Sequence, residues 1–384
     1  MAQKRYLFTP GPTPVPDDVL AATAAPVIHH RGPDFKLLLA ETLERLRQVC
    51  RTDNDVILFT ASGTGAFESA VANLLSPGDG VLAVSHGEFG ERWQTMARAY
   101  GADVVPLSYA WGETPRAEDL AAALANTPAD VVFLVQSETS TGVVADIQSL
   151  AAATKDAGAL VVVDAVSSLA AVPLETDAWG VDVVVSGSQK ALMCPPGLAI
   201  ATVSPAAWER CEQVTAPRFY FDWRRYRKAL EVGSTPFTPA VATVAGLNVA
   251  LTRILDEGLE NAFARHAALG RACREGAKAM GLELFSPDEE RSAVVTAILT
   301  PDDVDARELV LTLRDRHGIT VAGGHGDMAA RLFRIGHIGW FDVFDITTAL
   351  AAVELVLADM GAPIERGAAV THALEAYAEA VAAA

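Results

Sequence analysis

Short runs of consecutive apolar residues recur between about residues 55 and 203. They are rich in valine and leucine and lie at residues 56–59, 81–84, 131–135, 160–163, 183–185 and 198–201. Runs of this length are typical of strands that are buried on both faces of a sheet. Amphipathic stretches, among them residues 65–75 and 91–100, separate several of the runs. This alternation predicts an α/β fold with a mainly parallel sheet that helices cover on both sides.

The pattern changes after about residue 257, where a longer helical stretch begins. The predicted elements there are helices at 261–280, 305–317 and 346–360 and strands at 294–298, 319–321 and 332–335. This mixture predicts a smaller α+β domain. We therefore expect an N-terminal arm at 1–15, a large domain at 16–260 and a small C-terminal domain at 261–384, which ends in an Ala-rich, partly frayed helix.

The composition narrows the classes of function. With 384 residues, of which 51% are hydrophobic, the chain can bury a sizeable core. Its formal net charge of −18 argues against a broad attraction to nucleic acid or to an anionic membrane. The sequence has neither a signal-peptide pattern nor an apolar run near the roughly 18 residues of a membrane span. We expect a cytoplasmic protein whose partners are small molecules.

The four cysteines give no sign of a metal site or of a disulfide framework. Cys50, Cys194, Cys211 and Cys273 lie far apart and form no CxxC pair. We expect them to be buried apolar side chains, and we expect no bound metal.

Residues 62–64 form the first candidate binding site. Ser62, Gly63 and Thr64 follow the strand predicted at 56–59 and begin a helix, where free backbone N–H groups and the helix dipole favour an anion such as phosphate. The stretch also resembles the start of a dinucleotide-binding loop, but Glu68 stands where the third glycine of that loop belongs. A capped helix without a ligand is the alternative interpretation.

Two further strand ends carry charged residues. Asp164 ends the run at 160–163, and a buried carboxylate needs a hydrogen-bonding or cationic partner. Lys190 follows the run at 183–185, where burial would lower the pKa of the amine and favour Schiff-base chemistry. Taken singly, Asp164 could equally cap a helix, and Lys190 could reach solvent.

The three sites together point to one cofactor. The carboxyl ends of parallel strands meet at one edge of a sheet, where doubly wound folds bind their ligands. Pyridoxal 5′-phosphate (PLP) requires an anchor for its phosphate, an acid beside its pyridine nitrogen and an amine for its aldehyde. Residues 62–64, Asp164 and Lys190 supply these three groups.

The same motifs resemble those of a known family. SGTGAFESA at 62–70, VDAVSSL at 163–169 and SGSQKAL at 186–192, in this order and spacing, resemble the class V aminotransferases, whose fold is the PLP-dependent transferase fold of type I. The resemblance is strongest to alanine–glyoxylate and serine–glyoxylate aminotransferases. It implies two catalytic residues, Lys190 to bind the cofactor covalently and Asp164 to pair with its pyridine nitrogen.

The resemblance implies further contacts with PLP. The residues expected to bind it are Ser62, Gly63, Thr64 and Gln189 at the phosphate, and Val166 and Phe89 on the two faces of the ring. Phe89 stands where the family often has tryptophan, so it keeps the aromatic surface and lacks the indole N–H.

A hydroxyl group in the segment 136–144 would face the phenolic oxygen of the cofactor. The resemblance favours Thr139, with Ser140 as the alternative. Either Thr235 or Thr238 would reach the phosphate of a partner subunit, so the resemblance also implies a homodimer with shared active sites. An ordinary turn remains the alternative for both segments.

Arg334 is the expected substrate-binding residue. It lies inside the apolar strand predicted at 332–335, where an unpaired guanidinium is costly. A planar guanidinium can donate two parallel hydrogen bonds to a carboxylate, and the resemblance implies that Arg334 binds the carboxylate of the substrate. A structural ion pair is the alternative.

The resulting functional hypothesis is a PLP-dependent transaminase. It would move an amino group from alanine or serine to glyoxylate or pyruvate by a ping-pong mechanism with aldimine and ketimine intermediates. Within the same family, 2-aminoethylphosphonate, ureidoglycine and pyridoxamine are alternative donors. From another class, a nicotinamide-dependent dehydrogenase would use the loop at Gly63 but leaves Asp164 and Lys190 unexplained.

One segment stands apart from these motifs. Residues 218–228 are basic and aromatic within an acidic chain. A solvated linker, a subunit contact and a rim of the active site are the three interpretations.

Overall fold

The fold is described from a computed structural model that covers residues 4–127, 129–286 and 293–383. The strands are β1 (Tyr6–Leu7), β2 (Asp55–Thr60), β3 (Gly80–Ser85), β4 (Asp103–Ser108), β5 (Val131–Val135), β6 (Ser137–Glu138), β7 (Val143–Val144), β8 (Leu160–Asp164), β9 (Val183–Gly187), β10 (Leu198–Val203), β11 (Val295–Leu299), β12 (Ile319–Thr320), β13 (Ala322–Gly323) and β14 (Leu332–Gly336). The helices are α1 (Asp17–Thr23), α2 (Pro33–Cys50), α3 (Gly63–Leu74), α4 (Glu88–Ala99), α5 (Ala117–Asn126), α6 (Ile147–Asp156), α7 (Pro205–Gln213), α8 (Trp223–Leu230), α9 (Val241–Glu257), α10 (Leu259–Ala279), α11 (Ala306–His317), α12 (Val343–Asp359) and α13 (Ala368–Ala383), with a short 3₁₀ turn at Gly326–Met328.

A seven-stranded sheet forms the centre of the fold, in the order β2-β10-β9-β8-β5-β3-β4. All six strands predicted between about residues 55 and 203 belong to it. β10 runs antiparallel to both of its neighbours, and the pairs β9-β8, β8-β5, β5-β3 and β3-β4 are parallel. The sheet is therefore mainly parallel, as the continuous apolar runs predict.

Helices cover this sheet on both faces. On one face α3 and α4 pack around Trp93, whose ring is stacked between Phe67 at 4.1 Å and Phe133 at 4.2 Å between ring centroids. On the other face α2, α6 and α9 contribute apolar side chains to a second cluster. Because successive residues of a strand point to opposite faces, each of these strands supplies both clusters.

β4 is a strand that the apolar pattern does not predict. It lies at the edge of the sheet, most of its residues are partly or fully exposed, and it contains Pro106. Proline is tolerated at a sheet edge because no further strand needs its missing N–H.

The C-terminal part of the chain builds a separate three-stranded antiparallel sheet, in the order β11-β14-β13. α13 packs closely on α10: a Cβ atom at Gly276 would lie 2.9 Å from the carbonyl oxygen of Ala369 and 3.2 Å from Cβ of Ala373. The C-terminal helix is thus docked over its first half, where Ala369, Ala373 and Ala376 are buried, and the partly frayed end stays a prediction. The domain boundary placed at residue 260 stays a prediction.

The N-terminal arm links the C-terminal sheet to the central one. β1 pairs in parallel with β12 in a small sheet of their own, and Phe8 is buried in the C-terminal core, where its carbonyl oxygen accepts from the N–H of Gly336 in β14 at 2.8 Å. A few residues later, the N–H of Thr13 donates to the carbonyl oxygen of Gln189 at 3.1 Å, and its hydroxyl donates to that of Lys190 at 2.9 Å. The arm therefore reaches from the C-terminal sheet to the segment that follows β9.

The basic, aromatic segment at 218–228 is not a solvated linker. It enters α8, and Trp223 at the start of this helix is fully buried. The buried Asn73 of α3 holds the segment: its amide donates to the carbonyl oxygen of Phe221 at 2.6 Å and accepts from the N–H of Trp223 at 3.1 Å. Of the helices in the described ranges, none has both the length and the apolar character that crossing a membrane requires.

Candidate active site

A cavity of about 260 Å³ opens at the carboxyl ends of β8 and β9, beside the first turns of α3 and α4. Eight of the twelve predicted site residues line it, namely Ser62, Gly63, Thr64, Phe89, Asp164, Val166, Gln189 and Lys190. The structure thus brings together side chains that are up to 128 positions apart in the sequence. Thr139, Thr235, Thr238 and Arg334 are not among the lining residues.

Asp164 and Lys190 form the charged centre of the cavity. Burial is the main influence on both groups: it raises the pKa of Asp164 to about 7 and lowers the pKa of Lys190 to about 8. Each charge moderates the shift of the other. A hydrogen bond of 2.8 Å from the N–H of Val166 also steadies the Asp164 carboxylate. The site therefore holds an amine that loses its proton easily beside a carboxylate that lacks a full counter-charge.

The side chain of Lys190 lies against the N-terminal arm. A Cβ atom at Gly11 would be 2.4 Å from Nζ of Lys190, and Gly11 and Pro12 both line the cavity. A larger side chain at position 11 would displace the amine, and the φ of +147° at Gly11 also favours glycine. The sequence assigned residues 11 and 12 to the N-terminal arm and gave them no role in the site.

The first turn of α3 forms a cradle for an anion. Ser62 precedes the helix without making a side-chain cap, so its hydroxyl and the free N–H groups of the first turn are available to a ligand. Gly63 packs directly on Val166, because a Cβ atom there would lie 2.9 Å from Cγ2 of Val166. The Thr64 hydroxyl accepts a 3.2 Å hydrogen bond from Arg92.

Phe89 lies in the first turn of α4, with the guanidinium of Arg92 at 4.6 Å from the centre of its ring. Arg92 also lines the cavity, and its charge acts on both Asp164 and Lys190. Arg92 falls in the amphipathic stretch at residues 91–100, for which the sequence predicted a helix but no role in the site. Its one-turn spacing from Phe89 is the signal that places both side chains on one face of a helix.

Ser137 lines the cavity where the sequence favoured Thr139 or Ser140. The Ser140 hydroxyl is engaged, because it donates to Glu138 at 2.5 Å and accepts from the N–H of Glu88 at 3.1 Å. Thr139 is buried, and the cofactor contact predicted for it stays a prediction. The residue of this segment that lines the cavity thus lies two positions before Thr139.

Arg334 lies in β14 and is almost fully buried. Its guanidinium donates to the carbonyl oxygens of Gly323, at 2.7 and 2.9 Å, and of Thr139, at 2.5 Å. Within the described ranges no carboxylate forms an ion pair with it, and burial lowers the pKa of Arg334 to about 10. The structural ion pair considered from the sequence is therefore not observed there, and the cation is oriented by neutral acceptors.

Thr235 and Thr238 differ in their surroundings. Thr235 is buried, and its hydroxyl donates to the carbonyl oxygen of Phe237 at 2.7 Å. Thr238 is exposed. Arg31 fixes this segment by donating to the Ser234 hydroxyl at 2.5 Å and to the Thr235 carbonyl at 2.7 Å. Of the two threonines, Thr238 is the one that is available to a neighbouring molecule.

Two buried polar atoms test whether the cavity fits PLP. Oγ of Ser137 and Oε1 of Gln189 are both buried and have no hydrogen-bond partner within the described part of the chain. Both residues line the cavity. Buried polar atoms normally have partners, so these two point to a polar ligand. The acid, the amine, the anion cradle and the aromatic ring surround the same space, and the residues present fit the group.

The dinucleotide interpretation fits less well. Glu68 occupies the position of the third glycine, and its carboxylate accepts a 2.7 Å hydrogen bond from the hydroxyl of Tyr100. A side chain of this size prevents the close helix packing that the third glycine permits in dinucleotide-binding loops.

Comparison with known proteins agrees with the geometry. The model of the family Aminotransferase class-V matches residues 5–335. The chain is 39% identical to the L-aspartate–glyoxylate aminotransferase of Paracoccus denitrificans, over 100% of this chain and 99% of that protein. It is 38% identical to the serine–glyoxylate aminotransferase of Methylorubrum extorquens, over 96% of this chain and 95% of that protein. A crystal structure of the alanine–glyoxylate aminotransferase from Nostoc sp. matches with a TM-score of 0.90 and 34% identity, over 93% of this chain and 96% of that one.

Proposed function

Because the chain belongs to the class V aminotransferase family, we propose that it is a PLP-dependent transaminase that moves an amino group from alanine or serine to glyoxylate or pyruvate. The family match confirms the prediction of an aminotransferase, and the likeness to the Nostoc enzyme confirms the predicted fold of type I. The cofactor, the substrates and the roles of individual residues are the content of the proposal.

The observation that carries the proposal is the buried pair of Asp164 and Lys190 in one cavity. When bound, PLP supplies an electron sink that stabilises negative charge on the α-carbon of an amino acid. Asp164 would hold a proton on the pyridine nitrogen, since a buried carboxylate gains from a cationic partner. Lys190, with its lowered pKa, would both attach the cofactor and carry the proton of the α-carbon.

Other residues would orient the reactants. The first turn of α3, with Ser62 and Thr64, would bind the phosphate, and the amide NH₂ group of Gln189 would donate to the same phosphate. Phe89 and Val166 would enclose the ring. Arg334 would receive the carboxylate of the amino or oxo acid, for which its planar fork is suited.

Replacing Lys190 by alanine tests this function. We expect Lys190→Ala to lose both covalent attachment of PLP and transamination, because no second amine lines the cavity among the residues that the structure describes. Borohydride reduction followed by peptide mass analysis should place the cofactor on Lys190 of the wild-type protein. Lys36→Ala, which changes an exposed lysine, is the control and should behave as wild type. A wild-type protein that remains colourless with PLP and binds a nicotinamide dinucleotide would refute the proposal.

A second candidate donor is aspartate, and Arg92 is the observation that favours it. From the sequence, alanine or serine is the expected donor and Arg334 is the one arginine assigned to the site. The structure places the partly exposed Arg92 on the cavity wall as well. A dicarboxylic amino acid could bridge two guanidinium groups, and a relative of this chain is named for L-aspartate.

Kinetics with two donors distinguish the candidates. If Arg92 binds a side-chain carboxylate, Arg92→Leu should lower kcat/KM for aspartate by about tenfold or more and leave that for alanine nearly unchanged, since a charge-assisted hydrogen bond contributes about 1.5–3 kcal/mol. Arg98→Leu, in the last turn of the same helix, is the matched control. Equal losses for both donors would indicate that Arg92 serves the cofactor and that alanine or serine is the donor.

We also propose a cytoplasmic homodimer with shared active sites. Its support is the exposure of Thr238 together with exposed apolar residues nearby, Phe219 at 62% and Val232 at 63%. A partner surface would cover these residues. The cysteines of the chain are free thiols and are buried, in keeping with a reducing compartment.

A further inference from the structure

Glu138 is a fully buried carboxylate that the mechanism above does not use. It ends β6, in the hairpin with β7, and has no measurable exposure. Oε2 accepts hydrogen bonds from the N–H groups of Phe89 at 3.0 Å and Gly90 at 3.2 Å. Oε1 accepts from the N–H of Ser140 at 3.1 Å and from its hydroxyl at 2.5 Å. Four donors thus converge on one carboxylate.

This carboxylate caps a helix that is 48 residues away in the sequence. The N-terminus of α4 has no cap from its own neighbours, and Glu138 takes that place. The approach is close: a Cβ atom at Gly87 would lie 2.5 Å from Cγ of Glu138 and 2.4 Å from Oγ of Ser140. Glu138 therefore fixes the backbone of the turn that carries Phe89.

Thr139, the residue after Glu138, connects the same hairpin to Arg334. The carbonyl oxygen of Thr139 accepts from the guanidinium of Arg334 at 2.5 Å. Glu138 is also the group whose charge favours the ionised form of Arg334. Residues 138–140 hence touch the start of α4 on one side and β14 on the other.

We propose that Glu138 is a positioning residue that fixes where the Phe89 ring lies relative to the Arg334 guanidinium across the cavity. The inference rests on the proposed function, in which Phe89 stacks on the cofactor and Arg334 binds the substrate carboxylate. Glu138 touches neither ligand. It acts through the backbone of α4 and through the hairpin that holds Arg334.

Glu138→Gln is a sharp test because it keeps the size of the side chain. A carboxylate accepts at both oxygens, whereas an amide presents two donors on one side. In Glu138→Gln, the NH₂ group must therefore face either the two N–H groups of α4, which loses both of their hydrogen bonds, or Ser140. In the second case the Ser140 hydroxyl can turn to accept, but the bond from the Ser140 N–H is lost, so at least one hydrogen bond is lost whichever way the amide is turned.

The experiment compares wild type, Glu138→Gln and Ser140→Ala as apoproteins that are then titrated with PLP. We expect Glu138→Gln to raise the dissociation constant of PLP by about tenfold or more, the size expected from one lost charge-assisted hydrogen bond. The visible circular dichroism of the bound cofactor should weaken, and the dissociation constant for alanine in the half-reaction should rise. Ser140→Ala removes one of the four bonds and should shift all three quantities less, in the same direction.

Glu91→Gln is the matched control, since it removes an equal charge from an exposed position in the first turn of the same helix. It should leave the cofactor signals unchanged. A folded Glu138→Gln protein with wild-type dissociation constants and circular dichroism would overturn the inference, even if its melting temperature fell. If Glu138→Gln does not fold, wild-type values in Ser140→Ala would overturn it instead. Failure of the wild-type protein itself to attach PLP would overturn the proposed function and this inference with it.

Discussion

Lys190 owes its chemistry to its surroundings in the cavity. Burial lowers its pKa from 10.5 to about 8, while Asp164 opposes the shift and Arg334 and Arg92 add to it. The amine is nucleophilic only after it loses its proton. At neutral pH, a lysine with this pKa has a far larger reactive fraction than an exposed lysine.

We therefore expect the rate of PLP attachment to the apoprotein to rise about tenfold per pH unit below pH 8 and to level off above it. The sign follows from the lowered pKa, because protonation blocks the amine only below that value. Stopped-flow absorbance at fixed PLP concentration measures this profile. A rate that keeps rising through pH 10 would show an amine with an ordinary pKa.

At the residue scale, sequence patterns identified the groups that have a chemical signature. Asp164 and Lys190 stand out because a charge at the end of an apolar strand needs an explanation. Ser137 and Glu138 carry no such signature, since polar residues after a strand are typical of turns. The importance of Glu138 arises from its hydrogen bonds to a segment about 50 residues away, and that of Ser137 from its place on the cavity wall, and no local pattern encodes either.

Among the elements, the first turn of α3 shows how close packing shapes a binding site. Gly63 lies so near Val166 that a methyl group would be 2.9 Å from Cγ2 and 3.2 Å from Cγ1. Valine is β-branched and has one preferred rotamer in most backbones, so it cannot easily retreat. The turn and the residue after β8 are thereby held at a fixed separation.

Gly63→Ala should lower the free energy of unfolding by about 1–3 kcal/mol, the usual cost of overpacking. Val166→Ala removes Cγ1 and Cγ2, the atoms that the new methyl group would meet. The double variant should therefore lose less free energy of unfolding than the sum of the two single changes. Urea unfolding of the four apoproteins gives the coupling energy, which we expect to be about 1–2 kcal/mol. Strict additivity would mean that the turn relaxes without touching Val166.

Element boundaries show the same limit of sequence reasoning. The amphipathic pattern placed the start of α4 at residue 91, whereas the helix begins at Glu88. Its first turn is stabilised by Glu138 rather than by a local capping residue, so the usual start signal is missing. β4 was missed for a related reason: an edge strand is exposed and lacks the continuous apolar run that identified the buried strands.

The whole molecule has a net charge of −18, whereas the charges of Lys190, Arg334 and Arg92 make the surroundings of the cavity positive. The acidic excess lies elsewhere, so recognition of an anionic cofactor and substrate is a local property. The arm adds to this organisation, because it carries Gly11 from the C-terminal sheet to the amine.

Mixed dimers provide the sharpest test of shared active sites. If Thr238 binds the phosphate in the partner's cavity, a hybrid of one Lys190→Ala chain and one Thr238→Ala chain has one site with both changes and one site with neither. Differently tagged chains, co-expressed and purified through both tags, should then bind PLP covalently at half occupancy with wild-type affinity. The Thr238→Ala homodimer should bind it about tenfold more weakly, as expected for one lost hydrogen bond to a charged group.

The hybrid distinguishes shared sites from separate ones because the two arrangements predict different affinities. If each chain uses its own Thr238, the hybrid has only one lysine-bearing site, and that site carries the weakening change. The same experiment with Thr235→Ala is the control, since the Thr235 hydroxyl already donates to the carbonyl oxygen of Phe237. Its homodimer and its hybrid should both show wild-type affinity for PLP. Weaker PLP binding by the Thr235→Ala homodimer would mean that Thr235, not Thr238, contacts the phosphate.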